Sequence, residues 1–131
     1  MNHVSLAIVT RQGKFLILKR SPLDDNNPGR WALPGGHCER DESPQQGLLR
    51  ELKEETNLES RPKFCKLLMR VPHSPTKLLN FYWVSKSKQN VELRDGEHTE
   101  FAWVEPQNLS MYDPLPYMNE CFLKVQEYQN E

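Results

Sequence analysis

A stretch near the middle of the chain carries the strongest local signals for secondary structure. Ser43 is a favourable N-cap residue, Pro44 suits the first helical position, and Gln46 completes a Ser-x-x-Gln capping box. Beyond this start, residues that suit a buried stripe recur at helical spacing, namely Leu48, Leu49, Leu52 and Thr56. The pattern predicts an α-helix over residues 44–56 whose apolar stripe faces a sheet.

Runs of residues that favour β-strands lie on both sides of this helix. They cover residues 4–10, 14–20, 62–71, 77–86 and 99–104. Gly13 is predicted in the turn of a first hairpin, the segment RWALPGG is predicted to be extended, and VPHSPT is predicted to be a loop. A closing helix is predicted over residues 117–129, with one buried face formed by Met118, Cys121, Phe122 and Val125. This order of elements predicts an α/β fold in which helices pack on a mixed β-sheet, in a single domain over residues 1–131.

Composition and charge argue against several classes of protein. The net charge of −1 gives no general attraction to nucleic acid or to an anionic membrane. The three cysteines are far apart and lack CxxC spacing, which favours a reducing compartment over a disulfide framework. We find neither an apolar run long enough to span a bilayer nor a signal-peptide pattern. We therefore expect a cytoplasmic protein, either a monomer or a homodimer, without a stable nucleic-acid or membrane partner.

The predicted helix also carries several closely spaced carboxylates. Glu51, Glu54 and Glu55 lie on adjacent positions of one face, where like charges at this spacing cost helix stability. Arg50 can pair with Glu54, and Glu42 adds a carboxylate near the start of the helix. A solvated acidic face is the ordinary interpretation of such a run. A hard divalent cation is the alternative, since Mg²⁺ takes a few carboxylates together with water and substrate phosphates.

The same residues form a longer pattern that resembles the Nudix box, G-x5-E-x7-R-E-U-x-E-E-x-G-U, where U is apolar. The matching positions are Gly36, Glu42, Arg50, Glu51, Leu52, Glu54, Glu55 and Leu58. Asn57 replaces the glycine of the family pattern, and asparagine also tolerates the left-handed conformation that ends a helix. The segments WALPGG and WVEPQNL are also similar to this family, so the resemblance extends over essentially the whole chain.

The resemblance implies a Nudix-type α/β/α sandwich and hydrolysis, dependent on Mg²⁺ or Mn²⁺, of a nucleoside diphosphate linked to another moiety. It implies that the metal is held by Gly36, Glu51, Glu54, Glu55 and a further glutamate, with Glu97 favoured over Glu100. Glu51, Glu54 and Glu97 are the implied catalytic residues, because metal-bound water needs a base and neutralised charge. Arg50 is expected to orient the cluster, and Glu39, in the loop before the helix, is a candidate substrate-binding residue.

The overall layout most resembles the MutT-like subgroup, which implies a nucleoside triphosphate cleaved to the monophosphate and pyrophosphate. Arg20 at the end of a strand is a candidate for holding a phosphate, and Asn119 is a candidate for reading the base. Three alternatives stay open: an ADP-ribose or ADP-sugar hydrolase, a dinucleoside polyphosphate hydrolase, and a non-catalytic nucleotide-binding module. A plain strand-end arginine and a plain helix-start asparagine are the ordinary interpretations of these two residues.

Overall fold

The elements of secondary structure come from a computed structural model, which describes residues 1–130. The strands are β1 (Asn2–Arg11), β2 (Lys14–Arg20), β3 (Trp31–Ala32), β4 (Gly35–His37), β5 (Cys65–Ser74), β6 (Lys77–Val84) and β7 (His98–Val104). The helices are α1 (Pro44–Thr56), α2 (Met118–Gln129) and two 3₁₀ segments, Pro62–Phe64 and Pro106–Tyr112. Within residues 1–130, no helix combines the length and the apolar character that crossing a membrane requires.

Strand β1 lies at the centre of a mixed sheet and changes partner along one of its edges. One edge pairs in parallel with β6 from Asn2 to Val9. The other edge pairs antiparallel with β4 at Val4–Leu6 and with β2 only at Thr10 and Arg11. Strand β2 in turn pairs with β3 and β7, and β6 pairs with β5. The sheet therefore splits on one side of β1, and this split determines where the cavity described below is located.

Helices cover both faces of this sheet because its strands alternate apolar side chains between two cores. On one face, Leu48 and Leu52 of α1 pack in a cluster with Ala7, Val9, Leu16 and Leu18. On the other face, α2 packs Phe122 and Val125 against a cluster that includes Ile8, Phe15 and Ile17. The rings of Phe15 and Phe122 stack with centroids 4.0 Å apart. The predicted α/β/α sandwich with a mixed sheet is confirmed.

The limits of α1 agree with the prediction because its start and end are encoded locally. Ser43 accepts a hydrogen bond from the backbone of Gln46, and the Gln46 side chain accepts one from the backbone of Ser43. The predicted limits of the strands over residues 62–71 and 77–86 were less accurate. Residues 62–64 form a 3₁₀ turn instead of a strand, and β6 ends at Val84.

The predicted VPHSPT loop is mostly strand. Pairing between β5 and β6 continues to Ser74 and Lys77, so the connection is a tight turn. Cross-strand pairing outweighs the tendency of Pro72 to interrupt a strand, and a register shift between Pro72 and Ser74 accommodates the proline.

Asn57 adopts the left-handed conformation expected from the sequence, with φ 70° and ψ −3°. Its side-chain amide also donates to the carbonyl of Asn90 at 3.2 Å. We expect Asn57→Val to lower the free energy of unfolding by about 1 kcal/mol or more, because a β-branched residue is strained at positive φ. Asn57→Gly should stay within about 0.5 kcal/mol of the parent, since its easier φ offsets the lost hydrogen bond. Urea denaturation measures both, and an unaffected valine variant would contradict the capping role.

Candidate active site

A cavity of about 770 Å³ opens where the sheet splits. Its walls come from the first half of β1, from β4, from the end of β2, and from the segment that precedes α2. The residues with charged or ionisable side chains in its lining are Arg20, Asp24, His37, Glu55, His73, Glu97, His98 and Tyr117. A concave site of this volume suits a small-molecule ligand.

Glu55 is the most deeply buried carboxyl group of this cavity, with 3% of the residue exposed. Its Oε1 accepts a hydrogen bond of 2.6 Å from the backbone N–H of Gly35, which fixes the end of α1 to β4. Burial raises the pKa of Glu55 to about 9. The Gly35 N–H opposes this shift, whereas the negative charges of Glu51, Asp95 and Glu97 add to it. A cation bound nearby would therefore strongly stabilise the ionised form of Glu55.

The turn before β7 brings three more possible ligands to Glu55. Asp95 Oδ1 accepts from the backbone N–H groups of Glu97 and His98 at 3.0 and 3.3 Å. Asp95 Oδ2 lies 2.9 Å from His98 Nδ1, which is also 3.6 Å from Glu55 Oε2. One ligand atom from each of Glu55, Asp95, Glu97 and His98 lies within 4.8 Å of the others. Two segments distant in sequence thus form one compact cluster.

Arg50 connects the remaining carboxylates of the box. It contacts Glu42 Oε1 at 2.6 Å, Glu51 Oε1 at 3.1 Å and Glu54 Oε2 at 3.2 Å. It also donates to the carbonyl oxygen of His37 at 3.1 Å. The hydrogen bonds with Glu42 raise the pKa of Arg50 above its usual range and lower the pKa of Glu42. One guanidinium therefore offsets the repulsion that the helical spacing creates.

Glu51 lies between Arg50 and β4 and is half-buried. Burial raises its pKa, the hydrogen bond from Arg50 lowers it, and the charges of Glu54 and Glu97 raise it again. A Cβ atom added to Gly36 would lie 2.9–3.1 Å from the carboxyl atoms of Glu51. Glycine at position 36 thus leaves room for this carboxyl group against the backbone of β4.

The structure places some of the predicted site residues away from the cluster. The side chain of Glu54 is 58% exposed and pairs with Arg50. It precedes Glu55 by one residue, a rotation of about 100° around the helix axis that turns it towards solvent. Glu100 pairs with Lys19 at 3.2 Å, and Glu39 is exposed outside the cavity lining. Of the two candidate glutamates near β7, Glu97 is the one that reaches the cluster.

Asn119 also lies outside the cavity lining, on an exposed part of the first turn of α2. The buried face of that turn is occupied by Met118, so the next residue points away from the sheet. The residues from this region that line the cavity are Leu115, Pro116, Tyr117 and Met118. The residues of this segment that face the cavity therefore precede Asn119 in the sequence.

Asp95 and His98 are the functional candidates that the sequence interpretation missed. The signal was available in part, because Asp followed by Gly at residues 95–96 is typical of a turn whose carboxylate accepts local backbone N–H groups. That signal predicts a turn, but it does not predict that Glu55 lies on the other side of it.

Arg20 faces the same cavity from the end of β2, as expected. Its Nε donates to Asp24 Oδ2 at 3.1 Å, which fixes the orientation of the guanidinium. Asp24 accepts from the backbone N–H groups of Asn26 and Asn27, and these bonds lower the pKa of Asp24. The loop thus holds Arg20 in place through an ionised carboxylate and leaves its terminal nitrogens for an anionic group.

The donor set of the cluster fits a divalent cation. It offers carboxylate oxygens from Glu55, Asp95 and Glu97, which suit Mg²⁺ and Mn²⁺, together with one imidazole nitrogen from His98. The burial of Glu55 supports this assignment, since a bound cation would supply the charge that keeps this carboxyl group ionised.

Comparison with known proteins agrees with this geometry. The model of the NUDIX domain family matches residues 1–124. The 8-oxo-dGTP diphosphatase of Proteus vulgaris is 31% identical, in a match that covers 72% of this chain and 85% of the relative. Phosphatase NudJ of Escherichia coli (strain K12) is 32% identical and the match covers 98% of this chain and 88% of the relative. The crystal structure of the MutT protein from Methanosarcina mazei Go1 superposes with a TM-score of 0.82 at 28% identity, covering 98% and 95% of the two chains.

The fold and these relatives together define a hydrolase of the Nudix type. The chain belongs to the Nudix family.

Proposed function

We propose that this protein is a Mg²⁺- or Mn²⁺-dependent pyrophosphohydrolase that cleaves a nucleoside triphosphate to the monophosphate and pyrophosphate. The observation that carries the proposal is the cluster of Glu55, Asp95, Glu97 and His98, because Glu55, Glu97 and His98 line a cavity that Arg20 also lines. Cationic and metal-binding groups that line one cavity provide what a diphosphate needs, namely charge neutralisation on its oxygens. The proposed active site lies in a single Nudix domain.

The proposed metal ligands come from α1 and from the turn before β7. Glu55, Asp95, Glu97 and His98 would hold the cation, with the Gly36 carbonyl, Glu51 and Glu54 as further candidate ligands. When bound, a divalent cation lowers the pKa of water and neutralises charge on the phosphate oxygens.

The residues of the chain itself supply the base and the orientation. Arg50 donates to Glu51 Oε1, which leaves Oε2 to accept a proton from the attacking water. The raised pKa of Glu51 strengthens it as a base compared with an exposed glutamate. Arg50 holds Glu51 and Glu54 in fixed positions, and Arg20 orients a phosphate group.

The choice of a nucleoside triphosphate rests on the similar relatives and on the shape of the cavity. One relative is an 8-oxo-dGTP diphosphatase and one similar structure is a MutT protein. Apolar side chains also line this cavity, among them Leu79, Phe81 and Leu115. Asn27, which also lines the cavity, offers an amide that can donate to and accept from a base edge. These features suit a flat, polar-edged base.

A substrate panel with two matched variants tests the proposal. We expect nucleoside triphosphates to be hydrolysed in Mg²⁺ or Mn²⁺ to monophosphate and pyrophosphate, identified by ³¹P NMR. Glu97→Gln should lower kcat/KM at least about a hundredfold, because it removes a charge from the cluster. Glu100→Gln removes the same charge from the next glutamate of this segment. This variant should retain activity within about threefold, since it loses only the ion pair with Lys19.

Other results would redirect or contradict the proposal. Faster turnover of ADP-ribose or of a dinucleoside polyphosphate than of every triphosphate would overturn the substrate class and leave the hydrolase assignment in place. Binding of nucleotides without turnover in either metal would indicate a non-catalytic nucleotide-binding module. Equal losses in the Glu97 and Glu100 variants would show that the cluster is not where the reaction occurs.

A further inference from the structure

A second cavity lies at the far end of β1. It has a volume of about 650 Å³, and its lining shares no residue with the candidate active site. Strand β1 contributes Val4 and Leu6 to the first cavity and Thr10 and Arg11 to the second. Six residues of extended chain separate Val4 from Thr10, which corresponds to about 20 Å. The second cavity is therefore separate from the proposed chemistry.

Positive charge dominates the lining of this second cavity. Four cationic side chains line it, from Arg11, Arg61, Lys86 and Lys88, against a single carboxylate, Glu59. Glu59 is already paired with Lys53 at 2.6 Å. Within residues 1–130, none of the four cations has a carboxylate partner within 4.0 Å. In a chain whose net charge is −1, this is a local concentration of unneutralised cations.

Aromatic rings line the same cavity. Phe64 and Trp83 are both half-buried there. Lys86 lies over the Phe64 ring, with Nζ 5.5 Å from its centroid, and the Trp83 indole N–H donates to Thr10 Oγ1 at 2.9 Å. The cavity thus presents aromatic surface next to exposed cations, a combination that suits a planar ring joined to phosphate groups.

Backbone and side-chain hydrogen bonds hold the walls in place. Glu59 and Lys88 exchange backbone bonds of 3.2 and 2.7 Å, and the Ser85 N–H donates to the Phe64 carbonyl at 3.0 Å. Arg11 donates to the carbonyl oxygens of Ser87 and Gln89, so its guanidinium forms part of the frame. Arg61, Lys86 and Lys88 are exposed and have room to turn towards a ligand.

We propose that this cavity is a second ligand site that binds a nucleotide, with the ring against Phe64 or Trp83 and the phosphates against Arg61, Lys86 and Lys88. The limited volume of the cavity, about 650 Å³, favours a small ligand over an extended polyanion, which would need a continuous charged groove. The site is independent of the proposed hydrolysis, because none of its residues belongs to the metal cluster.

The test measures binding of ATP in EDTA, where no divalent cation supports the acidic cluster. We expect amide and indole NMR signals of Phe64, Trp83, Lys86 and Lys88 to shift on titration with ATP. Lys86→Ala/Lys88→Ala should weaken ATP binding at least about tenfold, because two charge-assisted contacts are lost. The control Lys77→Ala/Lys124→Ala removes two lysines outside both cavities, so the same net charge is lost while binding should be unchanged.

Adenosine and inorganic tripolyphosphate separate the two parts of the ligand, and both should bind more weakly than ATP. Tripolyphosphate that binds as tightly as ATP would overturn the role of the rings. Adenosine that binds as tightly as ATP would overturn the role of the cations. The proposal is also overturned if millimolar ATP leaves the signals of both Phe64 and Trp83 unmoved, if the control weakens binding equally, or if a single-stranded oligonucleotide binds far more tightly than ATP. None of these outcomes depends on catalytic activity.

Discussion

Gly35→Ala is expected to lower the free energy of unfolding by at least about 3 kcal/mol, because a side chain at this position would overlap the backbone of β1. A Cβ atom built on Gly35 lies 2.0 Å from the carbonyl oxygen of Ser5 and 2.8 Å from the Cα atom of Leu6. Both neighbours are backbone atoms of the central strand, so no rotamer change relieves the overlap. The φ of Gly35 is also +143°, a region that residues with a Cβ rarely adopt.

Gly13→Ala is the matched control for this prediction. Gly13 also has a positive φ, of +77°, but a Cβ atom added there meets nothing within 4 Å. Its alanine variant should therefore lose only the backbone term, about 1 kcal/mol. Urea denaturation followed by circular dichroism compares the two variants. Equal losses would show that contact with β1 does not explain the glycine at position 35.

The parts of the fold that were predicted well from the sequence are those encoded within a few residues. Helix α1 starts at a capping box and ends at a left-handed asparagine, and its predicted limits agree with the structure. The buried face of α2 was also predicted, because Met118, Cys121, Phe122 and Val125 recur at helical spacing. Both cases depend on local hydrogen bonds and on periodicity, which single-sequence reasoning can use.

The features that were missed depend on contacts between distant segments. Strand β5 continues through Pro72 because β6 lies beside it, and no local signal near Pro72 indicates that partner. The acidic cluster shows the same limit. Glu54 and Glu55 look equivalent in the box pattern, but the packing of α1 on β4 buries Glu55 and leaves Glu54 exposed. Asp95 and His98 become candidates only when the turn before β7 is placed against α1.

Glu55→Gln is expected to lower kcat/KM by at least about a hundredfold while making the metal-free protein more stable at alkaline pH. The activity falls because a buried anionic ligand of the proposed metal site is replaced by a neutral amide. The stability rises because the amide keeps an acceptor for the Gly35 N–H and no longer requires a charge to be buried. Steady-state kinetics in Mg²⁺ and melting curves in EDTA measure the two effects, with Glu100→Gln as the control for charge removal.

The raised pKa of Glu55 determines how the stability of the metal-free protein changes with pH. The pKa of Glu55 in the folded protein is raised to about 9 from an ordinary value of 4.5, so the folded state holds a proton between these values that the unfolded state has released. Stability from this group is therefore fully present below about pH 4.5 and is lost as pH rises through about 9. In EDTA, the melting temperature of the parent should fall across this window more steeply than that of Glu55→Gln, so the variant melts higher at pH 9.

Saturating Mg²⁺ should raise the melting temperature of the parent far more than that of the variant, because the cation stabilises only a folded state that binds it. A parent with no steeper slope than the variant would place Glu55 in contact with water, and a variant that gains as much from Mg²⁺ as the parent would remove Glu55 from the metal site.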